Sequence, residues 1–260
     1  MLKTELCARL GIEHPILSAG FGPGAGPEVV AAVSNAGGCG VLGASGFRVP
    51  YVRELIRRVR ALTSKPFGVN LILEDIEEGP IEACLDERVP LLVFFWGDPA
   101  PYVGPAHARG VKVAIQVGSA EEAREAAEAG VDFVIAQGVE AGGHVRGTTA
   151  LSVLVPAVVD VVAPLPVLAS GGVADGRGLV AALSLGAQGG LDGHALRRQR
   201  RSLRATPVQG ANRQQSGGGH RLHRGPLRRW LAERAASRPA QRHRSRMGGR
   251  GKAAERPATR

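Results

Sequence analysis

The stretch VKVAIQVGSAEEAREAAEAGVDFVIAQG, residues 111–138, decides the fold. It holds two near-continuously apolar runs, VKVAIQVG (111–118) and DFVIAQG (132–138), on either side of a helical pattern. Short runs rich in Val, Ile and Phe are what strands buried on both faces of a parallel sheet look like. The helix between them is marked at both ends. Ser119 and Glu122 have the spacing of a capping box, and Gly130 is a stop signal. The stretch therefore reads as one β-α-β unit.

Working outward, the same alternation recurs. Further apolar runs are HPILSAG (14–20), CGVLGAS (39–45), FGVNLIL (67–73), PLLVFFWG (90–97) and LPVLASGG (165–172). In PYVRELIRRVRALTS (50–64) the residues Val52, Leu55, Ile56, Val59 and Leu62 share one helical face. TTALSVLVPAVVDVV (148–162) and DGRGLVAALSLGA (175–187) are two more helices. Seven such units within residues 1–189 define a parallel α/β fold. A doubly wound sheet needs G-x-G-x-x-G after its first strand, and GFGPGAG (20–26) does not have that spacing. Gly or Asn stands at or just past most strand ends, at Gly20, Gly46, Asn70, Gly97, Gly118, Gly142, Gly143, Gly171 and Gly172. Active-site loops after many strands are the mark of a (β/α)8 TIM-type barrel, which is the expected architecture.

A barrel needs an eighth strand, due at Gln188, and there the chemistry changes. LSLGAQGGLDGHALRRQR (183–200) ends an apolar helix and runs into arginines. Residues 1–189 carry 14 Lys+Arg against 20 Asp+Glu, net −6, whereas residues 190–260 carry 19 against 3, net +16. Two parts are expected: a barrel of seven strands over 1–189, and a basic tail over 190–260 without a packed core. The expected barrel is open between its seventh and first strands. The tail has one aromatic residue, Trp230, and no array of stacking side chains, so nonspecific attraction to phosphates is expected rather than a specific nucleic-acid partner. No apolar run reaches the roughly 18 residues that span a bilayer. The three cysteines, Cys7, Cys39 and Cys84, lack metal or disulfide spacing, and no charged leader opens the chain. The expected location is the cytoplasm, with no metal and no membrane partner. Nothing in the sequence specifies an oligomeric state.

Two glycine turns could hold chemistry. SGGVADGRG (170–178) is either an ordinary strand-to-helix turn or a phosphate cradle, since small residues let backbone N–H groups approach an anion. In AQGVEAGGHVRG (136–147), Gln137 ends a strand, Gly142 and Gly143 permit close approach of a flat ligand, and His144 sits in a loop at the mouth. A histidine there is either exposed and inert or a base toward a weakly acidic C–H. Asn70 and Gln116 end apolar strands, as satisfied core amides or as ligand contacts. Glu121, Glu122, Glu125 and Glu128 read as a solvated helix face, as do Glu77 and Glu78, and Asp98 is a further candidate for the mouth. No Ser-His-Asp arrangement or HExxH is present, and no base stands beside Cys39.

SAGFGPGAGPEVVAAVSNAGGCGVLGASG, KPFGVNLIL, IAQGVEAGGHVRGTTAL and ASGGVADGRGLVAALSLGAQG closely resemble the nitronate monooxygenase family, formerly called 2-nitropropane dioxygenases, over nearly all of residues 10–189. The resemblance implies a (β/α)8 barrel with FMN at its C-terminal mouth. It implies that O2 oxidises alkyl nitronates, as small-molecule substrates, to carbonyl compounds and nitrite. Carried over by motif, Ala19 and Gly20 lie against the flavin. Asn70, Gln137 and Gly142 bind FMN, with Gln116 and Gly143 as further expected cofactor contacts, Gly171 and Gly172 hold its phosphate, and His144 is the catalytic base or proton handler. The flavin-dependent enoyl-acyl-carrier-protein reductases share these motifs and are the alternative.

In the family the eighth strand resembles GVWMGTRFVAS. Read one base out of frame, the codons open to Gly190–Arg200 permit Val-Trp-Met-Gly-Thr-Arg-Phe-Val-Ala-Ser. The tail is therefore expected to be an out-of-frame translation of a GC-rich gene, and its activity is expected to be impaired.

Overall fold

Each apolar run becomes a strand because its side chains are apolar on both faces and need cover on both. β1 is Ile16–Ser18, β2 Gly40–Gly43, β3 Phe67–Ile72, β4 Leu91–Phe95, β5 Lys112–Val117, β6 Phe133–Gln137 and β7 Val167–Ser170. The computed structural model describes residues 3–193 apart from 75, 77 and 78. Glu77, Glu78 and everything said above of the tail beyond Gly193 lie outside them. Helices alternate with the strands: α2 Pro27–Asn35, α3 Val49–Leu62, α4 Pro80–Asp86, α5 Ala100–His107, α6 Ala120–Glu128, α7 Leu151–Val162 and α8 Gly176–Ser184. A short α1, Glu5–Leu10, precedes β1.

One expectation is overturned. An eighth strand, β8, is present at Gly189–Asp192 and runs parallel between β7 and β1. It fills the gap expected between strands 7 and 1 and extends past residue 189. The reason is that a parallel ladder is made by the backbone and needs few side chains to agree. Leu191 turns inward onto the core with Leu17 and Leu168. Gly189 and Gly190 fit tight ground, since a Cβ on Gly189 would lie 2.6 Å from the Pro15 carbonyl oxygen. Asp192 ends the strand half-buried instead of entering the core, and its carbonyl accepts the Ala19 N–H at 2.9 Å.

The sheet runs β1-β8-β7-β6-β5-β4-β3-β2, all parallel. A bridge from Leu17 to Cys39 joins its ends, with Ser18 N–H donating to the Cys39 carbonyl at 3.0 Å. Ser18 Oγ adds a rung by accepting Val41 N–H at 2.8 Å. The result is a nearly closed (β/α)8 barrel.

Alternation along the strands makes two cores. Leu17, Val41, Val93, Ala114, Ile135 and Leu168 fill the barrel, and α1 closes its N-terminal end with Leu6, Cys7 and Leu10. Residues of opposite parity, such as Leu42, Val69, Phe94, Ile115 and Val134, pack against the helices. In α3 the expected face is buried at Val52, Leu55, Ile56 and Val59, but Leu62, in the last turn, is 47% exposed. No helix among the described residues is long and apolar enough to cross a membrane.

All three cysteines are buried, and burial pushes the Cys39 and Cys84 thiols up to about 12. A thiol that cannot ionise near neutrality does not attack reagents. A disulfide reagent at neutral pH is expected to react quickly with no cysteine of the native chain and with all of them in denaturant. A fast native thiol would contradict the burial.

Candidate active site

The parity that fills the barrel also fixes its mouth. Two residues beyond Leu17, Gly68, Ala114, Ile135, Leu168 and Leu191 come Ala19, Asn70, Gln116, Gln137, Ser170 and Gly193. All face the same interior at the C-terminal end. Small residues occupy the side formed by β8, β1 and β2, and amides the side formed by β3, β5 and β6. Gly20 is glycine for lack of space: a Cβ would lie 2.5 Å from Asn70 Cβ. Asn70 is buried and donates Nδ2–H to the Val93 carbonyl at 2.9 Å, while its Oδ1 meets no described partner. It is both a core amide and an acceptor left at the mouth.

After β7, Gly171 and Gly172 have φ of 104° and 68°, the left-handed range that disfavours a side chain. Gly171 packs on Ala141 from the next loop, and the space above Gly172 is open. The backbone N–H groups of Gly171, Gly172 and Gly193 donate to no described residue. Donors at the ends of β7 and β8 are where barrels hold phosphate. The N-terminus of α8 is less available than its sequence implies. Asp175 caps it, accepting N–H from Arg177 at 2.9 Å and Gly178 at 3.2 Å. Its hydrogen bonds with the Arg177 side chain, and then with those N–H groups, hold its carboxyl below its ordinary range. An anion here must therefore use the glycine amides.

The loop from β6 to α7, residues 138–150, carries His144 and folds back over the mouth. Gln137 holds it by both ends of its amide: Nε2 donates to the His144 carbonyl at 3.0 Å, and Oε1 accepts Arg146 N–H at 3.2 Å. Glu140 accepts Leu151 N–H at 3.0 Å and so caps α7 from a distance, because Ala150 at its N-cap has no acceptor. His144 itself is exposed. Its ring lies 5.2 Å, centroid to centroid, from that of Trp96 at the end of β4. Trp96 has φ 53°, uncommon for a bulky residue, and stacks on Phe95 at 4.7 Å. Gly142 and Gly143 are exposed beside His144.

Next to Trp96 lies a cleft of about 440 Å³, lined by Gln116, Asp98, Glu74, Glu122 and Arg146 among others. Asp98 is at its rim, where it also accepts Ala100 N–H at 2.9 Å at the start of α5. Glu122 is not the solvated helix residue expected. One oxygen accepts Gly118 N–H at 2.8 Å and the other accepts Arg146 Nε–H at 2.6 Å. The capping box is half formed: Ser119 Oγ accepts Glu122 N–H at 3.1 Å, but the Glu122 side chain turns to Gly118 instead of Ser119. Among the described residues no group of His, Cys, Asp and Glu could hold a metal ion.

Comparison with known proteins decides the family. The sequence profile described as nitronate monooxygenase matches residues 3–84 and 76–196. The chain belongs to the nitronate monooxygenase family. This is a family of flavin-dependent oxidoreductases. The chain is 40% identical over 190 residues to a (3aS,4S,5R,7aS)-5-hydroxy-7a-methyl-1-oxo-octahydro-1H-indene-4-carboxyl-CoA dehydrogenase of Rhodococcus jostii, covering 72% of this chain and 53% of that protein. It spans about half the length of that relative. Among solved structures, FabK from Thermotoga maritima matches with TM-score 0.72 and 39% identity, covering 75% of this chain and 63% of that one. A nitroalkane oxidase from Streptomyces ansochromogenes matches with TM-score 0.67 and 30% identity, covering 71% and 66%.

Of the residues read from sequence, Ala19, Asn70, Gln116 and Gln137 meet at the mouth, with Gly171 and Gly172 at its rim. Gly142, Gly143 and His144 stand on the loop above it. Missed were Trp96, Arg146 and Glu122. A signal existed for Trp96, the one tryptophan of residues 1–189, placed directly after a strand. For Glu122 the capping-box spacing set it apart from its neighbours on α6, but it pointed to Ser119 and not to Arg146.

Proposed function

We propose that this family member binds FMN at the barrel mouth and oxidises alkyl nitronates with O2, giving a carbonyl compound and nitrite. One observation carries the reading: an exposed imidazole, His144, is held by its backbone over a mouth whose floor is small on one side and amide-lined on the other. A flat ring fits that floor. Asn70 Oδ1 and the amides of Gly171, Gly172 and Gly193 supply an acceptor and donors that meet no other described group. When bound, FMN supplies the electron acceptor. The chain does the rest. Where the substrate arrives as the neutral nitroalkane, His144 takes the proton from the carbon next to the nitro group at a ring nitrogen and so forms the nitronate in place; Trp96 supports its ring, and Gln137 ties the loop that brings it there.

A second reading is kept by the comparisons. The dehydrogenase named above acts on a carboxyl-CoA, so an acyl-thioester substrate, as in the enoyl-acyl-carrier-protein reductases, is the alternative. The test is to titrate the purified protein with FMN and then measure O2 uptake with propyl-2-nitronate. Flavin binding with nitronate-dependent O2 uptake is the expected result. Binding with NADH oxidation only in the presence of an enoyl thioester would transfer the assignment to the second reading. No flavin binding would sink both for this chain, and the out-of-frame reading of the tail would then be tested by resequencing the gene and assaying the in-frame protein.

A further inference from the structure

We propose that Glu122 and Arg146 form a clamp that positions His144 against Trp96 over the mouth, which makes both of them positioning residues. The catalytic consequence rests on the function proposed above; the clamp itself rests on geometry alone.

The loop 138–150 is tied near its base and weakly elsewhere. At the base, Val139 N–H donates to the Thr149 carbonyl at 2.9 Å, Ala141 N–H to the Gly138 carbonyl at 3.0 Å, and Glu140 caps α7. The far part begins with Gly142 and Gly143, which add backbone freedom, and the latter has φ 80°. Gln137 holds the backbone on both sides of Val145 from below. It does not stop the loop from swinging outward about its base.

Arg146 opposes that swing. Its Nε–H donates to Glu122 Oε1 at 2.6 Å, and a terminal nitrogen lies 3.6 Å from Glu74 Oε1 after β3. Exposed ion pairs usually contribute little because two long side chains must be ordered to meet. Glu122 is already ordered. Its own N–H is bonded to Ser119 Oγ, and its second oxygen is bonded to Gly118 N–H. The carboxylate is therefore fixed to the turn between β5 and α6 before Arg146 arrives. Only 28% of the Glu122 side chain is exposed, so solvent screens the pair less than at a free surface. The backbone lies equally close on that turn: a Cβ on Gly118 would come 2.5 Å from Gly147 N. Two and three residues after His144 the chain is thus held on the turn by charge, at Arg146, and pressed on it by shape, at Gly147.

The experiment uses the full chain with Trp230→Phe, so that Trp96 alone reports by fluorescence. His144→Gln calibrates the emission change when the ring contact is lost. Glu122→Gln keeps the side-chain volume and an acceptor for Gly118 N–H, which preserves the start of α6. Glu122→Gln and Arg146→Met are expected to move Trp96 emission in the direction of the calibration and to speed hydrogen exchange over residues 138–150 by about tenfold, as a local opening becomes easier. Arg146→Lys is expected to recover part of both, since lysine supplies the charge without the planar fork. Glu121→Gln, its exposed neighbour on α6, should change neither. Unchanged exchange and emission in both Glu122→Gln and Arg146→Met would overturn the clamp. With neutral 2-nitropropane, the clamp variants should lose kcat with little change in KM, as expected when a reacting group is misplaced. Looser exchange with undiminished kcat would overturn the positioning role. A parent chain without nitronate turnover would refute the proposed function, and exchange and emission would still decide the clamp.

Discussion

Replacing His144 by glutamine is expected to lower turnover of neutral 2-nitropropane by about 10²–10⁴-fold, the range a positioned proton-transfer group contributes, while largely keeping turnover of the preformed nitronate, which has no such proton to lose. Fold and flavin binding should survive. The part of His144 that is tied into the structure is its carbonyl, which accepts from Gln137, and a substitution leaves that bond in place. The imidazole is exposed and meets the Trp96 ring. Glutamine can replace a hydrogen-bonding edge but cannot take a proton near neutral pH. Steady-state O2 uptake with 2-nitropropane supplies the turnover, uptake with propyl-2-nitronate is the control, and a flavin titration of the same variant shows whether binding is intact. Turnover within tenfold of the parent would remove His144 from the chemistry. Weakened flavin binding at undiminished turnover would make it a cofactor contact instead.

Leu191→Ala is expected to destabilise the barrel by about 2–5 kcal/mol, the usual cost of removing a buried leucine side chain. Leu191 is 5% exposed and packs with Leu17 of β1 and Leu168 of β7, the strands on either side of β8. Domains of this kind hold only about 5–15 kcal/mol in total, so the variant should melt early or lose its native state. Val180→Ala is the control. Val180 is 53% exposed on α8 and its truncation should stay within about 0.5 kcal/mol. Urea denaturation followed by circular dichroism gives both numbers. A loss at Leu191 no greater than at Val180 would mean that β8 is not part of the cooperative core.

The eighth strand shows why a break in composition misled. The basic chemistry of the tail starts at Arg197, but a strand of this barrel needs only an inward apolar residue and a backbone free of obstruction. Leu191 and the glycines beside it satisfy both. The alternative frame would put Trp at position 191 and Gly again at 193, so the pattern of an inward apolar residue followed by a glycine at the mouth is common to both frames.

The sequence by itself determined the class of fold, because runs apolar on both faces have no stable place except a covered parallel sheet. It placed Asn70, Gln116 and Gln137 at strand ends, and the period of two gives them the parity opposite to Val69, Ile115 and Ala136, but which of the two sets faces the helices was decided by the structure. Glycine turns were legible for the same local reason: positive φ at Gly171 and Gly172 leaves a mark in residue type. Only the tertiary structure decided what crosses between units. Trp96 meets His144 from a loop two strands away, Gly20 is pressed on Asn70, and Glu122 is singled out from Glu121, Glu125 and Glu128 because Arg146 comes down beside it. Such pairings depend on where a long loop lands after the barrel closes, and no period along the chain encodes that.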